Sequence, residues 1–150
     1  MFLQSNLESC YVSLDKLQRI QNLLARTVAN ASWSDEATEV TRSLYWLPIT
    51  QRIQFKVGLL AFKARQSLLP HAYLQDILSS HYPTRQLRSS SVHQFFKLAV
   101  NSNFASRAFS VPVPYVRNSL KPNLRSFDSA ASFKSQLKTT LFLSANGSIP

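Results

Sequence analysis

Residues 44–68 read LYWLPITQRIQFKVGLLAFKARQSL, and they constrain the chain more than any other stretch. Pro48 stands where a first helical turn accepts it, because the N–H that proline lacks has no partner there. From Ile49 onward, each residue is turned by about 100° round a helix axis. Ile49, Ile53, Val57, Leu60, Ala61, Ala64 and Leu68 then fill one wide apolar arc, and Phe55, Leu59 and Phe62 fill most of the other side. Arg52, Lys56 and Lys63 form a single charged stripe. A helix that is apolar almost all round belongs inside a larger structure. The expectation is a central buried helix over residues 49–68 with one cationic seam. That seam can meet phosphates, or it can be a solvated face whose Lys and Arg stems cover apolar neighbours.

The flanking sequence predicts more helix. Residues 14–30 start at a Ser13 cap with Asp15 at the positive end of the dipole, carry Leu14, Leu17, Ile20, Leu24 and Val28 as a packing face, and stop at Asn30. Ser34, Asp35 and Glu36 open a second helix reaching Leu44, with Ala37, Val40, Thr41 and Leu44 inward. A short helix is expected over 71–79, then a polar loop over 80–91 whose Arg85 and Arg88 could meet phosphates or simply face water. Phe95, Phe96, Leu98 and Val100 read as a strand or a short buried run. Pro112 and Pro114 rule out a central strand there, and 117–128 reads as an irregular connection. A last helix over 130–143 stacks Phe133, Leu137 and Leu141 at i, i+4, i+8, flanked by Lys134 and Lys138. The fold class is mainly α: one irregular helical domain over 1–143, with a disordered tail over 144–150.

Composition bears on partners. Two glycines in 150 residues disfavour phosphate-cradling loops. Residues 1–39 carry five acids against three cations, whereas 40–150 carry fourteen Lys and Arg against Asp76 and Asp128 alone. So basic a span points to an anionic partner, with RNA or DNA ahead of an acidic membrane surface. The apolar residues around 95–116 point to a protein partner as the alternative. Cys10 is the only cysteine, so there is no internal disulfide and no cysteine metal set. The start, MFLQSNLES, lacks the form of a signal peptide, and the apolar run over 57–62 is far short of the ~20 residues that span a bilayer. The expected setting is intracellular, without membrane insertion or secretion.

Catalytic patterns are missing. His71, His81 and His93 are ten and twelve residues apart, without HExxH spacing. No pair of carboxylates stands out for acid–base work, and Asp76 and Asp128 lie far from another acid in sequence, unlike the clustered aspartates of two-metal chemistry. The chain reads as no enzyme, with no cofactor and no metal.

Five pieces in order carry a resemblance: LQRIQNLLAR (17–26), LYWLPITQRIQFKVGLLAFKA (44–64), LRSS (87–90), RAFSV (107–111) and FKSQLKTTLF (133–142). Together they resemble the C-terminal end of LINE-like, non-LTR retrotransposon reverse transcriptases. The resemblance implies a truncated remnant or tail, since in that family the endonuclease and the polymerase aspartates lie upstream. On the charge pattern, any residual activity is expected to be non-specific binding to an RNA or DNA backbone through Arg52, Lys56, Lys63, Arg85, Arg88, Lys134 and Lys138. The chain departs from the family run Pro-x-Leu-Trp-Asn-x-Leu-Pro, reading PYVRNSLK with Arg117 in the Trp place and Lys121 in the last Pro place. Losing a buried aromatic there is expected to cost about 3–5 kcal/mol. Ser67 replaces a helix-ending Gly, at about 1 kcal/mol. A helical interaction module, or a remnant without function, is the alternative.

Overall fold

The computed structural model describes residues 2–66, 73–81, 94–102 and 104–147. As expected, the chain is mainly helical: among the described residues there are seven α-helices, one 3-10 turn and a lone antiparallel bridge between Ser80 and Phe95, without a strand. It divides into two compact units, Met1–Phe55 with Lys138–Pro150, and Lys56–Leu137.

The first unit holds α1 (Phe2–Ala29), α2 (Ala37–Ser43), the start of α3 (Ile49–Arg65) and the end of α7 (Ala130–Asn146). Helix α1 runs back well past Ser13, so the expected cap there is overridden. Its end falls where the sequence placed it. Asn30 takes φ 50°, and Ala31 N–H and Asn30 N–H donate back to Arg26 O and Thr27 O at 3.0 and 3.4 Å. Asn tolerates this left-handed geometry better than most residues with a Cβ.

Helix α2 packs against α1 and ends the same way on Tyr45, at φ 54°. Tyr45 N–H bonds Arg42 O and Trp46 N–H bonds Thr41 O, each at 3.0 Å. Left-handed backbone costs a residue like Tyr about 1–2 kcal/mol. Its ring is stacked on Phe142, with centroids 5.6 Å apart. Two glutamines of α1 fasten the turn into α3. Gln21 Nε2 donates to Leu47 O at 2.8 Å, and Ile49 N–H donates to Gln18 Oε1 at 2.9 Å. The second bond supplies a partner for a helix-start N–H that no helical carbonyl reaches.

The face expected to bury α1 is not the buried one. Gln21 and Ala25 are buried, while Leu17, Ile20, Leu24 and Val28 are exposed. Leucine spacing marks an apolar stripe but not what covers it.

The second unit holds the rest of α3, α4 (Tyr73–Ile77), the 3-10 turn Ala105–Arg107, α5 (Pro112–Ser119), α6 (Pro122–Arg125) and the start of α7. Its core gathers Ala61, Ala64, Leu78, Phe95 and Val113, with Val57, Leu74 and Phe109 against them. Phe62 and Phe133 stack at 4.3 Å with rings 11° from parallel. Asn118 grips Phe95 twice, accepting from its N–H at 3.0 Å and donating to its carbonyl at 2.8 Å. An isolated extended residue thus finds a side-chain partner where a sheet would supply backbone.

Helices α5 and α6 correct the reading of 117–128 as an irregular connection. Each begins on a proline, Pro112 and Pro122, in the first turn where proline's missing N–H is harmless. The strand-or-run expectation for 95–100 reduces to the bridge residue Phe95, buried beside exposed Phe96, Leu98 and Val100.

Helix α3 starts where expected but ends at Arg65, residues 67–68 lying outside the described ones, and its burial is one-sided. Gly58, Ala61, Phe62 and Ala64 are buried, while Ile53 and Leu60 are exposed. The last helix reaches Asn146 rather than stopping at 143, and Gly147 at φ 73° ends it, so 144–146 are not disordered tail. Phe133, Leu137 and Leu141 are buried on it, as their spacing predicts.

Within the second unit α3 and α7 run antiparallel and close, Phe62 meeting Phe133 and Gly58 facing Leu137. A Cβ on Gly58 would lie 3.2 Å from Leu137 Cδ2 and 4.0 Å from Val116 Cγ1. Alanine asks Leu137 to yield by only a few tenths of an ångström. Valine adds two methyl groups to a filled space, and overpacking of this kind costs about 1–3 kcal/mol. Gly58→Val is therefore expected to lower the unfolding free energy measured by urea titration by that amount; an unchanged or raised value would show that the two helices are not in close contact.

Candidate functional site

Of the surface cations singled out from sequence, Arg52 and Lys56 are exposed and Lys63 is half-buried, all on one face of α3. Lys134 and Lys138 are exposed one turn apart on α7. Among the described residues no ion pair engages any of these five; the recorded pair is Arg42–Glu39 at 3.6 Å. Arg85 and Arg88 lie outside the described residues. Among the described residues no three His, Cys, Asp or Glu side chains come together as a metal set. No helix among them is long and apolar enough to cross a membrane.

Sequence reasoning missed a second cationic feature. Arg117, on α5, is the largest fully buried side chain among the described residues, at 1 % exposure. Its guanidinium lies 5.7 Å from the centre of the Phe133 ring. Arg117 Nη2 donates to Arg125 O at 3.0 Å, and Arg65 Nη1 donates to the same carbonyl at 3.3 Å. Arg125 is itself buried, on α6. Two guanidiniums thus donate to one carbonyl oxygen, that of a third arginine which is itself buried.

The donors outnumber that acceptor. Arg117 Nη1, Arg125 Nε and Arg125 Nη1 are buried with no hydrogen-bond partner among the described residues. Burial, and then the charges of Arg65 and Arg125, push the Arg117 pKa down to about 10. The group is still a cation at neutral pH. Beside the cluster lies a cavity of about 180 Å³ lined by Arg65, Ser80, Gln94, Phe95 and Arg117. The signal in the sequence was spacing: Val113 and Arg117 stand at i, i+4 behind a helix-starting proline, which sets them on one face.

Neither a protein-family model, a curated protein nor a solved structure matches the chain.

Proposed function

We propose that the chain is a non-catalytic, α-rich part of a retrotransposon reverse transcriptase of the LINE-like kind, and that it holds RNA or DNA by the backbone without reading bases. The resemblance in the order of its five segments motivates the origin. The observation that carries the binding is the pair of cation rows, Arg52, Lys56 and Lys63 on α3 and Lys134 and Lys138 on α7, none of them neutralised by an acid among the described residues. Lys and Arg presented this way meet phosphate oxygens and release condensed counterions. Arg85 and Arg88 belong to the same proposal on sequence grounds.

Each phosphate neutralised contributes about −0.9 to the slope of log affinity against log salt on duplex DNA. Full engagement of the five cations gives a slope near −4 to −5, by the same rule. Changing all five to Ala is expected to flatten that slope nearly to zero and to abolish filter binding at moderate salt. Binding that ignores salt, or that survives the five substitutions, would remove the proposal.

A second reading has its own observation. Leu17, Ile20, Leu24 and Val28 form an exposed apolar row on α1, and Phe96, Phe104 and Tyr115 are also exposed. Such surfaces fit a helical interaction module. Light scattering with a hydrophobic dye separates the readings: a monomer that binds no dye excludes the second.

A further inference from the structure

We infer that the cavity beside Arg117 seats a single phosphate group, as the free ion or as a monoester. The argument starts from the donors. Arg117 is 1 % exposed, and its Nη1 has no partner among the described residues. Arg125, 9 % exposed and outside the cavity lining, leaves Nε and Nη1 equally unmatched among the described residues. Buried polar groups without partners are rare, and a buried guanidinium without a counter-ion rarer still. Among the described residues no carboxylate lines the cavity; its polar lining residues are Arg65, Arg117, Ser80 and Gln94, with Phe95 as an apolar wall. All four polar residues can donate, and both arginines present planar forks suited to oxyanions. The space, about 180 Å³, is many times what one water needs. A tetrahedral oxyanion supplies several acceptors to a site short of acceptors, and negative charge to a site lined by two cations, Arg65 and Arg117, and by no acid among the described residues.

The class is narrowed by size and charge. A dianion answers the cluster better than chloride or a carboxylate, because it carries more charge on oxygens spread in three dimensions. This seat is separate from the five surface cations, and it does not depend on nucleic-acid binding.

Inorganic phosphate, titrated into the whole chain at matched ionic strength with chloride as control, tests the site by calorimetry and thermal shift. Expected is saturable binding with a rise in melting temperature that chloride does not produce, since a ligand of the folded state stabilises by mass action. Arg65→Gln, an exposed position that leaves the core intact, is expected to weaken binding at least tenfold, and Arg117→Met to abolish it. The fivefold surface variant described above is expected to bind phosphate normally, so failure here and failure of backbone binding are told apart. A mononucleotide and its unphosphorylated nucleoside complete the series. Tighter binding of the mononucleotide than of phosphate assigns the seat to monoesters, and the reverse assigns it to the free ion. Phosphate acting no better than chloride, unchanged affinity in both Arg65→Gln and Arg117→Met, loss of binding in the surface variant, or nucleoside binding equal to the mononucleotide's would each overturn the assignment.

Discussion

Phe133→Ala is expected to remove about 3–5 kcal/mol of stability, the range for emptying a buried aromatic site. Marginally stable domains hold only about 5–15 kcal/mol in total, so this substitution alone takes a large share. Three features place Phe133 at the top of the range. Its side chain is fully buried, its ring lies 4.3 Å from that of Phe62 and only 11° from parallel, and its other contact is the Arg117 guanidinium at 5.7 Å. A void here therefore strips dispersion from one aromatic and removes the surface a buried cation rests on. At about 2–4 °C per kcal/mol for a chain of this size, the melting temperature falls by roughly 6–20 °C. Paired with Phe62→Ala in a double-mutant cycle, the two changes are expected to couple by about 0.5–1.5 kcal/mol, the worth of an aromatic pair beyond its area. The neighbouring change Lys134→Ala, on the exposed side of the same helix, should stay within about 0.5 kcal/mol of zero. A Phe133→Ala loss below about 1 kcal/mol, or no coupling to Phe62, would mean that α3 and α7 do not pack through this stack.

The contrast between Phe133 and Leu17 shows what the sequence could and could not tell. On α7 the apolar stripe is narrow, with Lys134 and Lys138 beside it, so period and burial coincide. On α3 apolar residues surround the axis; the helix itself was legible, but with little contrast between faces the inward side was not, and small Gly58 and Ala61 turned out deeper than Ile53 and Leu60. On α1 the stripe was legible and its burial was not, since periodicity reports only that a face is apolar. Helix α5 was missed because Pro112 and Pro114 were weighed as strand breakers rather than as first-turn residues, and α6 because Pro122 was read as part of an irregular connection. Of the candidate site, the surface cations were legible because a helical wheel places them. The buried arginine cluster was not, because it is assembled from three helices whose arginines stand at 65, 117 and 125.

Arg117→Met is expected to raise stability in phosphate-free buffer by about 1–3 kcal/mol, the outcome when an ill-matched buried charge gives way to an apolar chain of similar length. Desolvation first, and the Arg65 and Arg125 charges second, hold the Arg117 pKa near 10, below the ordinary arginine range. At 1.36 kcal/mol per pKa unit, that depression stands for about 3 kcal/mol against the folded state wherever arginine is protonated in both states. Methionine escapes that penalty. Against this it forfeits the 3.0 Å bond to Arg125 O and the contact with Phe133, but Arg65 still donates to that carbonyl at 3.3 Å. The pH dependence has a definite sign. Because the folded pKa is the lower one, the unfolded chain binds more protons above about pH 10, and wild-type stability gains from this group as pH rises through that region. The advantage of the Met variant is thus full from neutral pH up to about 9 and narrows above 10. Other groups titrate there too, so the quantity to measure is the difference between the two proteins in urea midpoints at each pH. A Met variant less stable than wild type in phosphate-free buffer at pH 7 would mean that the guanidinium is satisfied where it lies.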